Sequence, residues 1–288
     1  MKSKALLIKE KIEQLYPTDI FINEHCYIVG GFVRDIILGN QPKDIDIVVD
    51  KHYGSLKLGL MLHKAMPKEI TKPRRLGNYP IWQLTFISGE LEGESIEIAE
   101  TMTEEFPDSS TRQRIVKYAS LKDDIYRRDF TINGLLMKFN KGTNLDSIID
   151  ISGYGLKDLL KNKLIRCMPD VNAEDIFYAD PLRIIRAVRF SIKYSWEIEK
   201  ETFKAMKNVK DRINILSKER ILSELKNISQ YEQGLLKAVL LFDKLDILEL
   251  IFPEVAYLKN IKQAPDSRNI HLEGSIYKCK NFVGIDGN

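Results

Sequence analysis

Two rhythms of apolar and polar residues divide this chain. In "SKALLIKEKIEQLY" (3–16) the apolar positions fall three to four apart, the period of one helix face, and Pro17 ends the segment. "CYIVGG" (26–31) reads as a short strand stopped by glycines. "FVRDIILG" (32–39) then reads as a helix closed by Gly39, and "KDIDIVVD" (43–50) as a strand of alternating acids and aliphatics. "PIWQLTFISG" and "ESIEIAE" continue the strand pattern. From about Asp150 the rhythm becomes helical: "DPLRIIRAVRFSIKY", "KETFKAMKNV", "SKERILSELKNIS" and "QGLLKAVLLFDKLDILELI" all carry apolar residues at helical spacing. The fold class expected is α+β, with a small mixed sheet first and an all-α region after it. "APDSRNIHLEGSIYKCKNFVGIDGN" (264–288) has no such period, and residues from about 265 are expected to be the most mobile.

At 288 residues and 44% hydrophobic content, the chain can build one large core or two to three smaller ones. The net charge of +3 gives no bulk field, so nucleic-acid contact would rest on local basic patches. Cys26, Cys167 and Cys279 lie far apart without CxxC spacing, and the four histidines form no HExxH. The amino-terminal segment is too charged for a signal peptide, and no apolar run approaches a membrane span. These features lead to the expectation of a cytoplasmic protein without a membrane partner.

Candidate chemistry concentrates in "VGGFVRDIILGNQPKDIDIVVD" (29–50). Glycine lets the backbone turn sharply and approach a ligand, and Gly30 and Gly31 stand between a strand and a helix. Such a turn aims free N–H groups at one spot and suits a phosphate; Arg34 adds a forked donor. Asp44 and Asp46 are two apart on a strand, so they share a face, roughly 6.5–7 Å apart, while Ile45 and Ile47 face the core. Two like carboxylates repel unless a cation sits between them, and phosphoryl-transfer sites use such pairs to hold metal ions. A plain turn and a solvated strand edge would explain either feature alone; their succession within 13 positions, Gly31 to Asp44, favours the joint reading.

With "RRDFTINGLLM" (127–137), "ADPLRIIRAVRF" (179–190) and "LSKERILSEL" (216–225), this stretch resembles the four ordered motifs of the class II tRNA nucleotidyltransferase and bacterial poly(A) polymerase family. The resemblance covers roughly residues 20 to 260. It implies a nucleotidyltransferase head (1–148), a helical neck with a base-reading helix (149–228) and a short helical body with a remnant tail (229–288). Asp44 and Asp46 are implied to hold Mg²⁺ with Glu97, which lies on the face of Ser95 and Ala99 and aligns with the third carboxylate; Glu100 reads as solvated. Arg128, Asp129 and Asn133 are implied to handle the sugar and phosphates of the nucleotide. Asp129 and Asn133, four apart, are expected on one helix face.

In the third motif Ile184, Ile185, Val188 and Ile192 form a core stripe, and Arg183, Arg186 and Arg189 step round the other side with Asp180. Asp180 can accept from an exocyclic amine of cytosine or adenine while Arg183 donates to ring acceptors. Arg186 and Arg189 suit phosphates or the positioning of the helix. Ala179 replaces the glutamate usual in the family, which removes one support of the base-reading pair. The tail resembles the junction to a metal-dependent phosphohydrolase domain but lacks a His-Asp dipeptide, and therefore reads as a remnant or a truncation.

The implied activity is template-independent addition of C and A to a tRNA 3′ end from CTP and ATP. CC-adding, A-adding and poly(A)-polymerizing enzymes are the alternatives within the family. The alternative from another class, an RNA-binding protein with a silent site, leaves two repelling acids without a purpose. Lys200, Lys204, Lys207 and Lys210 form a basic run that suits RNA or simply a solvated helix face.

Overall fold

The computed structural model describes residues 2–105 and 115–254, and the chain divides into two compact units, the first ending at Asn162 and the second beginning at Lys163. The first unit opens with α1 (Lys4–Leu15), capped by Ser3, whose side chain accepts from the Leu6 N–H; Ala5, Ile8 and Ile12 are buried. α2 (Ile20–His25) leads into β1 (Cys26–Val29), buried along its whole length. Then follow α3 (Gly31–Ile37), β2 (Ile45–Val49), α4 (Gly54–Ala65), β3 (Arg74–Arg75), β4 (Ile81–Thr85), β5 (Ser95–Glu100), β6 (Met102–Glu105) and β7 (Ile115–Tyr118). α5 (Leu121–Tyr126), β8 (Leu136–Lys138), β9 (Ile148–Ile149) and α6 (Gly155–Lys157) complete the unit. Seven strands make one mixed sheet in the order β3-β4-β5-β2-β1-β8-β9; β2 and β5 run parallel, and the other neighbours antiparallel.

Strand alternation decides which face carries the chemistry. Ile45, Ile47, Ile96 and Ile98 are buried on one face, which leaves Asp46 and Glu97 on the other. Asp44 stands just ahead of β2, so only Asp46 of the expected pair belongs to the ladder.

One expected helix face is corrected. In "RRDFTINGLLM" only Thr131–Asn133 is helical, as one 3₁₀ turn, and Leu136–Lys138 then pairs with β1. Phe130, Ile132, Leu135, Leu136 and Met137 are all buried, so no polar side is left for a surface helix, and Gly134 marks the switch to strand.

The second unit contains β10 (Leu164–Ile165), α7 (Ala173–Ala179), α8 (Leu182–Tyr194), β11 (Glu197–Ile198), α9 (Lys200–Asn208), α10 (Lys218–Ser229), α11 (Gly234–Lys244) and α12 (Leu248–Ile251). α8 buries the expected stripe of Ile184, Ile185, Val188 and Ile192, and Ala187 and Phe190 as well. The apolar run 233–251 is broken rather than continuous. Asp246 takes a left-handed φ of 57°, and the Ile247 N–H returns to the Phe242 carbonyl at 2.9 Å. That turn buries both Leu245 and Ile247, which an unbroken helix would place on different sides. The expected mobile stretch from about 265 lies outside the described residues.

Candidate active site

β1 and β2 place Val29 opposite Asp46, and the parallel pairing of β2 with β5 places Asp46 opposite Glu97. Residues opposite one another in a ladder project from the same face, so the two carboxylates are lateral neighbours. Gly30 follows β1 directly, with φ 74° and ψ −129°. An L residue is strained there, and a Cβ at this position would stand 3.9 Å from Asp46 Oδ2. The Gly-Gly turn thus lies against Asp46. A cavity of about 400 Å³ opens at this end of the strands, lined by Lys43, Asp44, Asp46, Glu94, Ser95 and Glu97.

Asp46 is exposed at its surface, yet protein atoms crowd the space around it. Burial, the Glu97 charge and the Asp44 charge push its carboxyl up to about 6, against a smaller opposing pull from Arg128. The set is crowded with negative charge and made of hard oxygen donors, which suits a divalent cation. Among the described residues, no three His, Cys, Asp or Glu side chains close round a cation by themselves. An open set of one or two carboxylates completed by substrate phosphates is the usual form of a magnesium site. The donor chemistry therefore fits such an ion.

Glu100 corrects the expectation of a solvated side chain. It lies on the sheet face opposite Glu97 and is buried; Ser55 Oγ donates to its Oε1 at 3.1 Å, and His52 Nδ1 is 3.4 Å from Oε2. Odd and even positions of β5 point to different faces, which separates the two acids.

The first and second motifs meet through side chains. Arg34 is buried; its Nη1 donates to Asn133 Oδ1 at 2.6 Å and its Nε to Asp35 Oδ1 at 3.1 Å. Asn133 Nδ2 in turn donates to Asp129 Oδ1 at 2.9 Å. Asp129 and Asn133 are thus neighbours as expected, joined across a loop and a 3₁₀ turn instead of along an α-helix. Arg34 reaches this network rather than presenting an open fork.

Sequence reasoning missed Asp124. It is fully buried, accepts from Arg127 (Nη2, 2.7 Å) and Arg128 (Nη2, 2.8 Å), and receives the Met102 N–H at 3.2 Å. Burial alone would raise its pKa, but Arg128 and Arg127 together hold it below the ordinary carboxylate range. It thereby fixes the arginine whose charge acts on Asp46. The available signal was the i,i+4 spacing of Asp124 and Arg128.

In the second unit, Asp180 Oδ1 accepts from the Leu182 N–H at 3.2 Å, and Asp180 Oδ2 pairs with Arg220 at 2.9 Å. Arg183 Nη1 donates to the Ile176 carbonyl at 3.1 Å. Arg189 forms an ion pair with Glu224 at 2.6 Å and lies 4.6 Å from the Phe190 ring centre; Arg186 lies 5.4 Å from the same ring. Arg220 and Glu224 sit one turn apart on α10, so the fourth motif grips the third at two points. This also supplies Asp180 with a support despite Ala179. Of the basic run, Lys207 and Lys210 both approach Asp246 (3.0 and 3.5 Å), whereas Lys200 and Lys204 are exposed.

Comparison with known proteins places the chain in a family. The profile described as "Poly A polymerase head domain" matches residues 26–166, and that of the "Probable RNA and SrmB- binding site of polymerase A" matches 196–259. The A-adding tRNA nucleotidyltransferase of Aquifex aeolicus (strain VF5) is 31% identical over 243 residues, 83% of this chain and 27% of that protein. The CCA-adding enzyme of Lactococcus lactis subsp. cremoris (strain MG1363) is 31% identical over 235 residues, 79% of this chain and 54% of that protein. Among solved structures, the Thermotoga maritima CCA-adding enzyme complexed with tRNA superposes with a TM-score of 0.65 at 27% identity, over 87% of this chain and 53% of that one. This chain belongs to the class II tRNA nucleotidyltransferase family, which shares its head domain with poly(A) polymerases. Use of a divalent metal is general in that family. The chain spans about half the length of the CCA-adding relative and about a quarter of the A-adding one. No helix among the described residues is long and apolar enough to cross a membrane.

Proposed function

We propose that this chain transfers nucleotides from CTP and ATP to the 3′ end of tRNA, in CCA addition or repair, with release of pyrophosphate. The observation that carries the reading is the Gly30 turn lying against Asp46, with Glu97 one strand away on the same face. Asp44, Asp46 and Glu97 would hold Mg²⁺. When bound, that ion lowers the pKa of the attacking 3′-hydroxyl and neutralises charge on the phosphates. Gly30 and Gly31 leave room for a phosphate beside Asp46, and Arg128 adds positive charge. Arg34, Asn133 and Asp129 form the connected network that supports the nucleotide's sugar and phosphates. Cys26 is a buried free thiol, in keeping with a reducing cytoplasmic setting.

The test is incorporation of each labelled nucleotide onto tRNAs that end before C, after C and after CC. Sequential C, C and A supports the full reaction. Addition of A alone to the CC end favours the A-adding alternative, which the Aquifex relative makes specific. Long A tracts on general RNA favour poly(A) polymerase. RNA binding without incorporation onto any end means a silent site.

For the second unit, the reading assigns the base edge to Asp180 and Arg183, and positioning to Arg189 through Glu224. Asp180→Ala removes an acceptor for the exocyclic amine, a charged hydrogen bond worth about 1.5–3 kcal/mol. Discrimination of CTP against UTP on a tRNA lacking CCA is expected to fall by roughly ten- to a hundredfold. An equal loss with every nucleotide would instead assign Asp180 to its bonds with Leu182 and Arg220.

A further inference from the structure

The face that carries the acids continues across the sheet. Asp46 is opposite Glu97, Glu97 opposite Gln83, and Gln83 opposite Arg74, so these four stand in one row on one face. At the usual strand spacing, the backbone of Arg74 is about 14 Å from that of Asp46. Arg74 is exposed, and its Nη2 donates to Gln83 Oε1 at 3.2 Å, the one side-chain hydrogen bond it makes among the described residues. Arg75, on the other face, is spent locally: its Nε and Nη2 donate to the Tyr79 and Asn78 carbonyls at 3.0 Å and close the turn into β4. Two adjacent arginines thus have different work. One holds a turn, and the other is tethered to the row of acids with donors to spare.

The row has a direction. The Gly30 turn, Arg34, Asn133 and Asp129 belong to the β1 and β8 side of Asp46, whereas Gln83 and Arg74 extend from the β5 side. In nucleotidyl transfer the attacking hydroxyl and the leaving pyrophosphate lie roughly in line, on opposite sides of the α-phosphorus. A triphosphate at the Gly30 turn therefore leaves the β5-β4-β3 side for the attacking strand. We infer that Arg74, oriented by Gln83, binds a backbone phosphate of the acceptor RNA upstream of its 3′ end. A guanidinium fork suits a phosphate, and the two acids along the row make a cation necessary wherever a polyanion crosses this face. The competing role for Arg74 is a charge that guards the edge strand β3 against pairing with other chains. That role needs no tether to Gln83.

The inference rests on the nucleotidyl-transfer reading, and its test separates the two. Arg74→Ala, Arg74→Lys and Gln83→Ala are made in the full chain. A tRNA transcript lacking CCA is the RNA probe, with RNA, nucleotide and salt varied separately. Arg74→Ala is expected to raise the KM for RNA about five- to tenfold, and to lower the slope of log binding against log salt by about one. The KM for nucleotide and kcat should stay within about twofold, since phosphate contacts upstream do not touch the reacting atoms. Arg74→Lys should recover part of the loss, and Gln83→Ala should show a smaller version of it. An unchanged RNA KM and salt slope would leave Arg74 as an edge guard, and a raised nucleotide KM would move it to the triphosphate; either overturns the inference. If the wild-type chain incorporates nothing, the functional reading fails by itself. Fluorescence anisotropy with the same transcript then still decides on Arg74, because equal binding by wild type and Arg74→Ala overturns its role.

Discussion

Asp46→Ala is expected to lower nucleotide incorporation by about a thousandfold or more, with Asp44→Ala falling in the same range. Asp46 stands between the Gly30 turn and Glu97, so its loss removes the central donor of the set. Single-turnover incorporation at several Mg²⁺ concentrations measures this, and full activity in either variant sinks the two-carboxylate metal site. Stability should move the other way. The folded-state pKa of about 6 lies above the ordinary aspartate value near 3.9. Between those values the native state holds more protons than the unfolded chain, so wild-type stability falls as pH rises from about 4 to 6. Asp46→Asn carries no charge and escapes this penalty. After allowance for solvent screening at this accessible site, it should be about 1 kcal/mol more stable than wild type at pH 7, and no more stable below pH 4. Urea melts of the metal-free protein across that range check both the sign and the window.

Asp124→Ala is expected to cost about 3–5 kcal/mol, the largest effect on stability foreseen here. Its carboxylate is fully buried between two arginines, and alanine would leave both cations and the Met102 N–H short of an acceptor. Because Asp124 titrates lower in the folded state than in the unfolded chain, its contribution is present above about pH 4. It fades as pH falls through the folded-state value. Wild type and variant should therefore converge in acid, and a difference in urea midpoint that persists unchanged to pH 2 would contradict the ion-pair account. Incorporation should also drop in any folded fraction of the variant, since Arg128 loses its anchor beside Asp46.

Local pattern made much of this molecule readable. The alternation in "KDIDIVVD" and "ESIEIAE" separates carboxylates from isoleucines because a strand has a period of two, and no neighbour is needed to see it. The stripe of Ile184, Ile185, Val188 and Ile192 follows equally directly from the helical period. α4 shows where such reading fails. Leu56, Leu58, Leu60 and Leu62 alternate as in a strand, yet the segment is helical, with Leu58 and Leu62 buried and Leu60 half exposed. Leucine favours helix, and a surface helix tolerates a few apolar residues on its wet side.

By itself, the sequence determined which residues carry charge, which face of each regular element they occupy, and the order of the four motifs that identifies the family. Only the tertiary structure decided which of these residues meet. Asp46 is opposite Glu97 because β2 and β5 pair in parallel, Arg34 reaches Asn133 across 99 positions, and Arg220 and Glu224 find Asp180 and Arg189. Strand order, register and helix packing arise from burying apolar surface over the whole unit. A partner chosen in that way leaves no period or spacing in the local chain, and so becomes visible only once the unit has closed.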